Sequence, residues 1–215
     1  MHEREPGGAR FDTAAQAAEW DARYGEGDGP KWSGRPNGRL VAEVADVTPG
    51  RALDVGCGEG ADAIWLARRG WAVTAIDISE VAVRRAREAA EAVGAAVEWV
   101  CGDALQSSLP AGSFDLVSMQ YPALPKAAGE AAVRRLLATV RPAGLLLAVF
   151  HDLDGEHREH MKSRGIDPDD YVGADDLHRL LGDDFTVEVH AVEPRVDPPP
   201  GTPHVDDVVL RARRR

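Results

Sequence analysis

Residues 51–60 read Arg-Ala-Leu-Asp-Val-Gly-Cys-Gly-Glu-Gly. Ala52, Leu53 and Val55 form a short apolar run with β character, and Gly56, Gly58 and Gly60 follow at once. Beyond the glycines, Ile64, Leu66 and Ala67 recur among polar residues as in a helix. A strand that turns through glycines into a helix aims backbone N–H groups and a positive helix end at a ligand. Glycine permits positive φ and lets ligand atoms approach the main chain with no Cβ in the way. Asp54, two residues before Gly56, looks into the same crevice.

Outward from this stretch the pattern alternates. Strands are expected at 51–55, 72–76, 96–101, 114–119 and 144–151. Helices are expected at about 60–69, 79–93 and 127–140, the second with Ser79 as N-cap and Gly94 as stop. Such alternation predicts parallel strands with right-handed crossovers and helices on both faces. After a helix at about 174–181, the stretches 185–192 and 205–212 read as two strands joined only by a proline-rich loop, so they should pair antiparallel. Ahead of residue 51, a helix from Asp12 or Thr13 to about Tyr24 carries Ala17, Trp20 and Tyr24. A glycine-rich break and the Trp32–Asn37 turn lead to a second helix with Leu40, Val41, Val44 and Ala45. The expected fold is α/β: a doubly wound, mostly parallel, seven-stranded Rossmann-like sheet that ends in an antiparallel β-hairpin. One domain spans 1–215, with a helical lid at 1–50, a core at 51–151, and a helix and closing hairpin at 152–215.

Composition bounds the function. With 25 Lys+Arg against 36 Asp+Glu the net charge is −11, which repels a polyanion, so nucleic acid is not an expected partner. Arg211, Arg213, Arg214 and Arg215 form the densest basic patch and read as a solvated tail. No apolar run reaches the ~18 residues of a membrane span, and no signal peptide is visible. Cys57 and Cys101, with no C-x-x-C pattern, suggest free thiols and a cytoplasmic setting.

The run Leu53–Gly60 resembles the first motif of class I S-adenosylmethionine (SAM) dependent methyltransferases. It also satisfies G-x-G-x-x-A through Ala61, so a nicotinamide oxidoreductase stays open at this point. Downstream, Asp77 ends the second strand 21 residues after Gly56, Cys101-Gly102-Asp103-Ala104 ends the third, and Ser113–Tyr121 resembles the family's fourth strand. Arg141-Pro142-Ala143-Gly144 matches the family's R-P-G-G turn with one change. The terminal hairpin also favours the methyltransferase resemblance over the dinucleotide folds.

That resemblance implies SAM as cofactor, with S-adenosylhomocysteine (SAH) as product. Asp54, Gly56, Cys57, Gly58 and Gly60 would cradle it, Asp77 and Ile78 would meet the ribose, and Asp103 and Ala104 the adenine. Gln120 and Tyr121 would line the methyl-transfer site. Trp20 and Trp32 occupy places comparable to the aromatic cover of the thiopurine and tellurite-resistance type branch, which implies a small-molecule acceptor. An acceptor hydroxyl needs a general base, for which His151, Tyr121 and His204 are the candidates. His151, His157 and His160 with Asp152 and Asp154 match no standard metal spacing, so no metal is expected. A SAM-binding protein without catalysis is the third reading.

Overall fold

The computed structural model describes residues 12–26, 29–163, 165–198, 202 and 205–215. Five strands, β1 (Arg51–Val55), β2 (Ala72–Asp77), β3 (Val97–Cys101), β4 (Phe114–Gln120) and β5 (Val140–His151), are followed by β6 (Phe185–Pro194) and β7 (Asp206–Arg214). They form one sheet in the order β3-β2-β1-β4-β5-β7-β6. Neighbours among β1–β5 pair parallel, whereas β7 runs antiparallel to both β5 and β6. The order reverses at β1 and β4, the switch point outside which ligands bind in open α/β sheets.

Alternation along the central strands sends side chains to two apolar layers. Leu53, Val117, Met119 and Leu146 pack on one face with Leu136 of α5 (Glu130–Leu137) and Leu177 of α7 (Ala174–Leu181). Ala52, Leu116, Leu145 and Leu147 pack on the other with Leu40 of α2 (Gly38–Val44) and Leu66 of α3 (Ala61–Arg68). Burial on both faces explains why these strands read as apolar runs and not as alternations.

Local signals set the helix ends. In α1 (Thr13–Gly25) the Asp12 carboxylate accepts from the N–H groups of Ala14 and Ala15. In α4 (Glu80–Val93) the Ser79 hydroxyl accepts from Ala82 N–H, and Gly94 closes the helix at φ 66°.

Three details differ from the sequence reading. Residues 127–140 hold a 3₁₀ turn, Lys126–Ala128, and then the shorter α5, because Gly129 at φ 84° breaks the run. Strand β5 starts at Val140, ahead of the expected 144, with a register shift against β4 that takes up Arg141–Gly144. Ala143 stands there at φ 61°, left-handed, where the resembled turn carries glycine. A further helix, α6 (Gly155–Ser163), follows β5; apart from Gly155 and Met161 its residues are polar and none is buried, so little apolar periodicity marks it. No helix among the described residues is long and apolar enough to cross a membrane.

Gly60 shows how tightly the first turn is built. It sits at φ 84°, and an added Cβ would lie 2.5 Å from the Trp99 ring and 2.9 Å from Ala86 Cβ. Left-handed strain and overpacking together cost about 2–5 kcal/mol. Gly60→Ala is therefore expected to lower the urea midpoint clearly, and an unchanged midpoint would contradict this packing.

Candidate functional site

The carboxyl edge of the sheet gathers the ends of β1, β2, β3, β4 and β5. At the end of β1 the chain passes through Gly56, Gly58 and Gly60, all at positive φ. Gly56 and Cys57 donate to the Ile76 carbonyl at 2.8 and 3.1 Å, which ties the turn to β2. Asp77 fastens it further: one carboxylate oxygen accepts from Gly58 N–H at 2.8 Å, the other from Ser79 N–H at 2.9 Å. A Cβ at Gly56 would meet nothing within 4 Å, so open space lies against the first glycine.

Two buried polar atoms at the carboxyl ends of β1 and β4 are orphaned. Asp54 is 2% exposed, and its Oδ2 has no hydrogen-bond partner among the described residues; Gln120 Oε1 is in the same position. Asp54 pairs in register with Ser118, two residues before Gln120, so both side chains leave the same face of adjacent strands. Both orphans are acceptors, and a buried acceptor without a donor costs about 1–3 kcal/mol. A ligand that brings donors to this end of β1 and β4 satisfies them.

Burial dominates the electrostatics. It raises the Asp54 carboxyl well above the ordinary carboxylate range, and the charges of Asp62 and Asp77 add to the effect. Asp62, in the first turn of α3, is pushed up to about 6 by burial, against the Asn37 N–H that donates to it at 2.6 Å. Burial also raises Asp77, opposed by the N–H groups of Ser79 and Gly58. The Cys57 thiol is pushed up by burial and by Asp54 and Asp77, so it is not a poised thiolate.

Helix α1 lies across this edge. Thr13 donates to Asp103 at 3.4 Å and accepts from the Gln106 amide, and Gln16 donates to the Ala123 carbonyl at 3.5 Å. Asp21 accepts from the Ser79 hydroxyl at 2.6 Å and from Val81 N–H at 3.1 Å. Tyr24, at the helix end, is buried, and its hydroxyl would touch a Cβ on Gly58 at 2.8 Å. Trp32 donates its indole N–H to that hydroxyl at 3.1 Å while its ring is 56% exposed. Glu59, inside the glycine turn, accepts from the backbone of Lys31 and Trp32 and pairs with Arg85 at 2.8 Å.

The expected residues therefore converge in part. Asp54, the glycines, Asp77 and Gln120 gather at the carboxyl ends of β1, β2 and β4, and Tyr24 and Trp32 lie against Gly58. Ile78 follows Asp77, and its N–H also lowers that carboxyl. Asp103 caps its own turn through Leu105 N–H at 2.8 Å, and Ala104 packs against the core. Trp20 does not reach the glycine turn by any contact described; it lies against Tyr24 at 6.0 Å and under Arg23.

Tyr121, at φ 53°, stacks on His151 at 4.1 Å and donates to Asp207 at 2.9 Å. Its phenol is raised by burial and by Asp207, which leaves it a poor base and a good donor. His204 lies outside the described residues. His157 is paired with Asp154 at 2.8 Å on the surface, and no metal-holding group of three or more such side chains occurs among the described residues. A cavity of about 300 Å³ between Arg35, Val41, Trp65 and Val196 shares no lining residue with the cleft.

Sequence reasoning missed Asp21, Glu59, Asp62, Arg85, Asp207 and Arg195. Asp21 was within reach, three residues before Tyr24 and on the same helical face. Glu59 sits inside the glycine motif, at a position the motif leaves open, and the others belong to no motif.

Comparison with known proteins agrees with this geometry. Residues 52–144 match a family model described as a methyltransferase domain. Nocamycin O-methyltransferase from Saccharothrix syringae is 42% identical over 120 residues, 51% of this chain and 41% of that protein. A ribosomal RNA small subunit methyltransferase C from Chromohalobacter salexigens is 33% identical over 118 residues, 51% of this chain and 34% of that protein. The chain thus spans less than half the length of these curated relatives. A solved structure from work on the conversion of a disulfide bond into a thioacetal group during echinomycin biosynthesis superposes with TM-score 0.70 and 28% identity. It covers 93% of this chain and 92% of its own. Magnesium protoporphyrin IX methyltransferase from Synechocystis PCC 6803, solved with bound SAH, shares the fold (TM-score 0.64, 22% identity, 94% and 95% covered). The fold is that of the class I methyltransferases, and SAM is the cofactor these matches indicate.

A pH test isolates the buried acid in α3. The Asp62 pKa is higher folded than unfolded, so its contribution to stability is full at low pH and is lost as pH rises through about 6. Asp62→Asn keeps an oxygen for Asn37 N–H and removes the titration. Its stability relative to wild type should rise by up to about 3 kcal/mol between pH 4 and pH 8. Denaturant curves at the two pH values check this, and a constant difference would contradict the assignment.

Proposed function

We propose that the chain transfers the methyl group of SAM to a small-molecule acceptor. The observation that carries the reading is the pair of buried, orphaned acceptors, Asp54 Oδ2 and Gln120 Oε1, at the ends of the two switch-point strands that flank the glycine turn. The cofactor brings an ammonium, a ribose diol and an adenine amine, all donors, and supplies an activated methyl on a sulfonium.

The chain's residues have four tasks. Asp54 and Gln120 receive donors at the β1–β4 switch point. Asp77 holds the glycine turn and offers its remaining lone pairs to the ribose side. Asp103 and the Ala104 backbone stand at the end of β3 for the adenine edge. The cover excludes water and aligns the reactants, an effect worth up to about 7–11 kcal/mol for a displacement of this kind. Tyr121 and His151 close the acceptor end, where His151 is the group suited to accept a proton from a hydroxyl or thiol.

A small acceptor is supported by the cover and by the charge. In the described cover Arg23, Lys31, Arg35 and Arg39 are each paired with a carboxylate, and the chain's net charge of −11 disfavours RNA, although one relative acts on ribosomal RNA. The resemblance to the thiopurine and tellurite-resistance type branch rests on Trp20, Tyr24 and Trp32, of which Tyr24 and Trp32 lie against the glycine turn.

Two measurements test this reading. Calorimetry should show SAM and SAH binding to the wild type, with Asp77→Ala weakened about 10- to 150-fold, the value of one charge-assisted contact. Equal affinity in a folded variant would remove Asp77 from the site. Hydrogen exchange over residues 12–26 and 29–40 should slow on SAH addition, because the cover is fastened by a few polar contacts that open one at a time. Equal exchange in both states would leave this segment as static packing.

A further inference from the structure

Around the glycine turn the clustered charges are acidic: Asp54 feels Asp62 and Asp77, and Asp77 feels Asp21, while Arg85 is committed to Glu59. Beyond Tyr121 the charged groups change. Arg39, on α2, is buried with both terminal nitrogens engaged: Glu193 lies at 3.0 Å, Glu43 at 3.5 Å and the Pro194 carbonyl at 2.9 Å. Arg195, at the start of the β6–β7 loop, is different. Its Nε is 3.6 Å from Asp207, and its guanidinium stands over the Tyr121 ring at 5.2 Å. Among the described residues its guanidinium meets no other carboxylate. The side chain is 13% exposed, and Asp207 is 1% exposed.

These contacts hold Arg195 without saturating it. Asp207 is oriented by the Tyr121 hydroxyl and stands opposite His151 in the β5–β7 register, so three strand ends fix the group. Asp207 stands on the Nε side at ion-pair distance, and the terminal nitrogens donate no hydrogen bond among the described residues, which leaves a fork of N–H groups of the kind that suits an anion. Tyr121 is thereby placed between Asp207, Arg195 and His151, with no freedom to act as a stacking platform.

We propose that Arg195 is a specificity residue of the acceptor end and selects acceptors that react as anions, phenolates or thiolates, over amines. This rests on the methyl-transfer reading. The acceptor's proton leaves to His151 or to solvent. The anion's lone pair then forms the new bond to the methyl carbon while the methyl–sulfur bond breaks onto sulfur. One negative and one positive charge cancel, and no further reactant is needed. A protonated amine meets a like charge at the same place.

The experiment uses the full chain saturated with SAH and titrated with 4-nitrophenol, whose ionisation is read from the visible absorbance of the phenolate. The expected result is binding, with the bound phenol's pKa lowered by about one unit or more, the usual effect of a cation within contact range. Arg195→Gln should abolish the shift, and Arg195→Lys, which keeps the charge beside buried Asp207, should retain part of it. Neutral 4-nitrobenzyl alcohol should bind wild type and Arg195→Gln within twofold of each other. An unshifted phenol, a shift that survives in Arg195→Gln, or no phenol binding to the SAH complex would each overturn the proposal. Failure of SAH itself to bind the wild type would instead overturn the cofactor reading.

Discussion

Asp77 ends β2 with both carboxylate oxygens taken by backbone donors, Gly58 N–H on one side and Ser79 N–H on the other. Much of the carboxyl edge depends on this arrangement. The glycine turn needs an acceptor for an N–H that points inward, and α4 needs its first turn fixed where Ser79 caps it. One buried anion does both, and each charge-assisted bond contributes about 1.5–3 kcal/mol. Burial raises the cost of ionising Asp77, and the two N–H groups offset that cost. The glycines follow from the same constraint: the backbone must bend back over Asp77 at φ values that side-chain-bearing residues rarely adopt.

The cover is fastened by a different kind of contact. Asp21, Glu59 and Asp62 are three carboxylates that accept backbone N–H groups across the gap between the cover and the sheet. Of the cover's aromatic rings near the glycine turn, Tyr24 is buried and Trp32 is largely exposed. Tyr24 is the one α1 residue that is buried, and it belongs to neither apolar layer of the sheet, so lifting α1 would expose that ring and leave both layers intact. Polar attachment over an apolar core is the balance expected of a segment that admits and releases a ligand.

Legibility in the sequence followed the physics of each element. The seven strands were readable because central strands buried on both faces must be apolar, and Ser79 and Gly94 marked α4 because capping is a local interaction. The glycine turn was readable for the same reason. Helix α6 was not, since it buries no residue and so leaves no period. The start of β5 was misplaced because Pro142 and Gly144 look like a turn, yet the register shift keeps them within the strand. In the candidate site, Asp54, Asp77 and Gln120 were expected from the resemblance and from their position on strand ends. Arg195 and Asp207 were not, because their meeting with Tyr121 depends on β7 inserting between β5 and β6, a long-range fact with no local signature.

The central claim is that the cleft between Asp54, Gln120 and the glycine turn, under α1, holds the cofactor. A crystal structure of the full chain with SAH tests it most directly. The account predicts the amino-acid end of SAH against Asp54 and Gln120, the ribose diol within hydrogen-bonding reach of Asp77, and the adenine at Asp103 and Ala104. SAH bound away from the glycine turn, with Asp54 Oδ2 and Gln120 Oε1 still lacking partners, would contradict it.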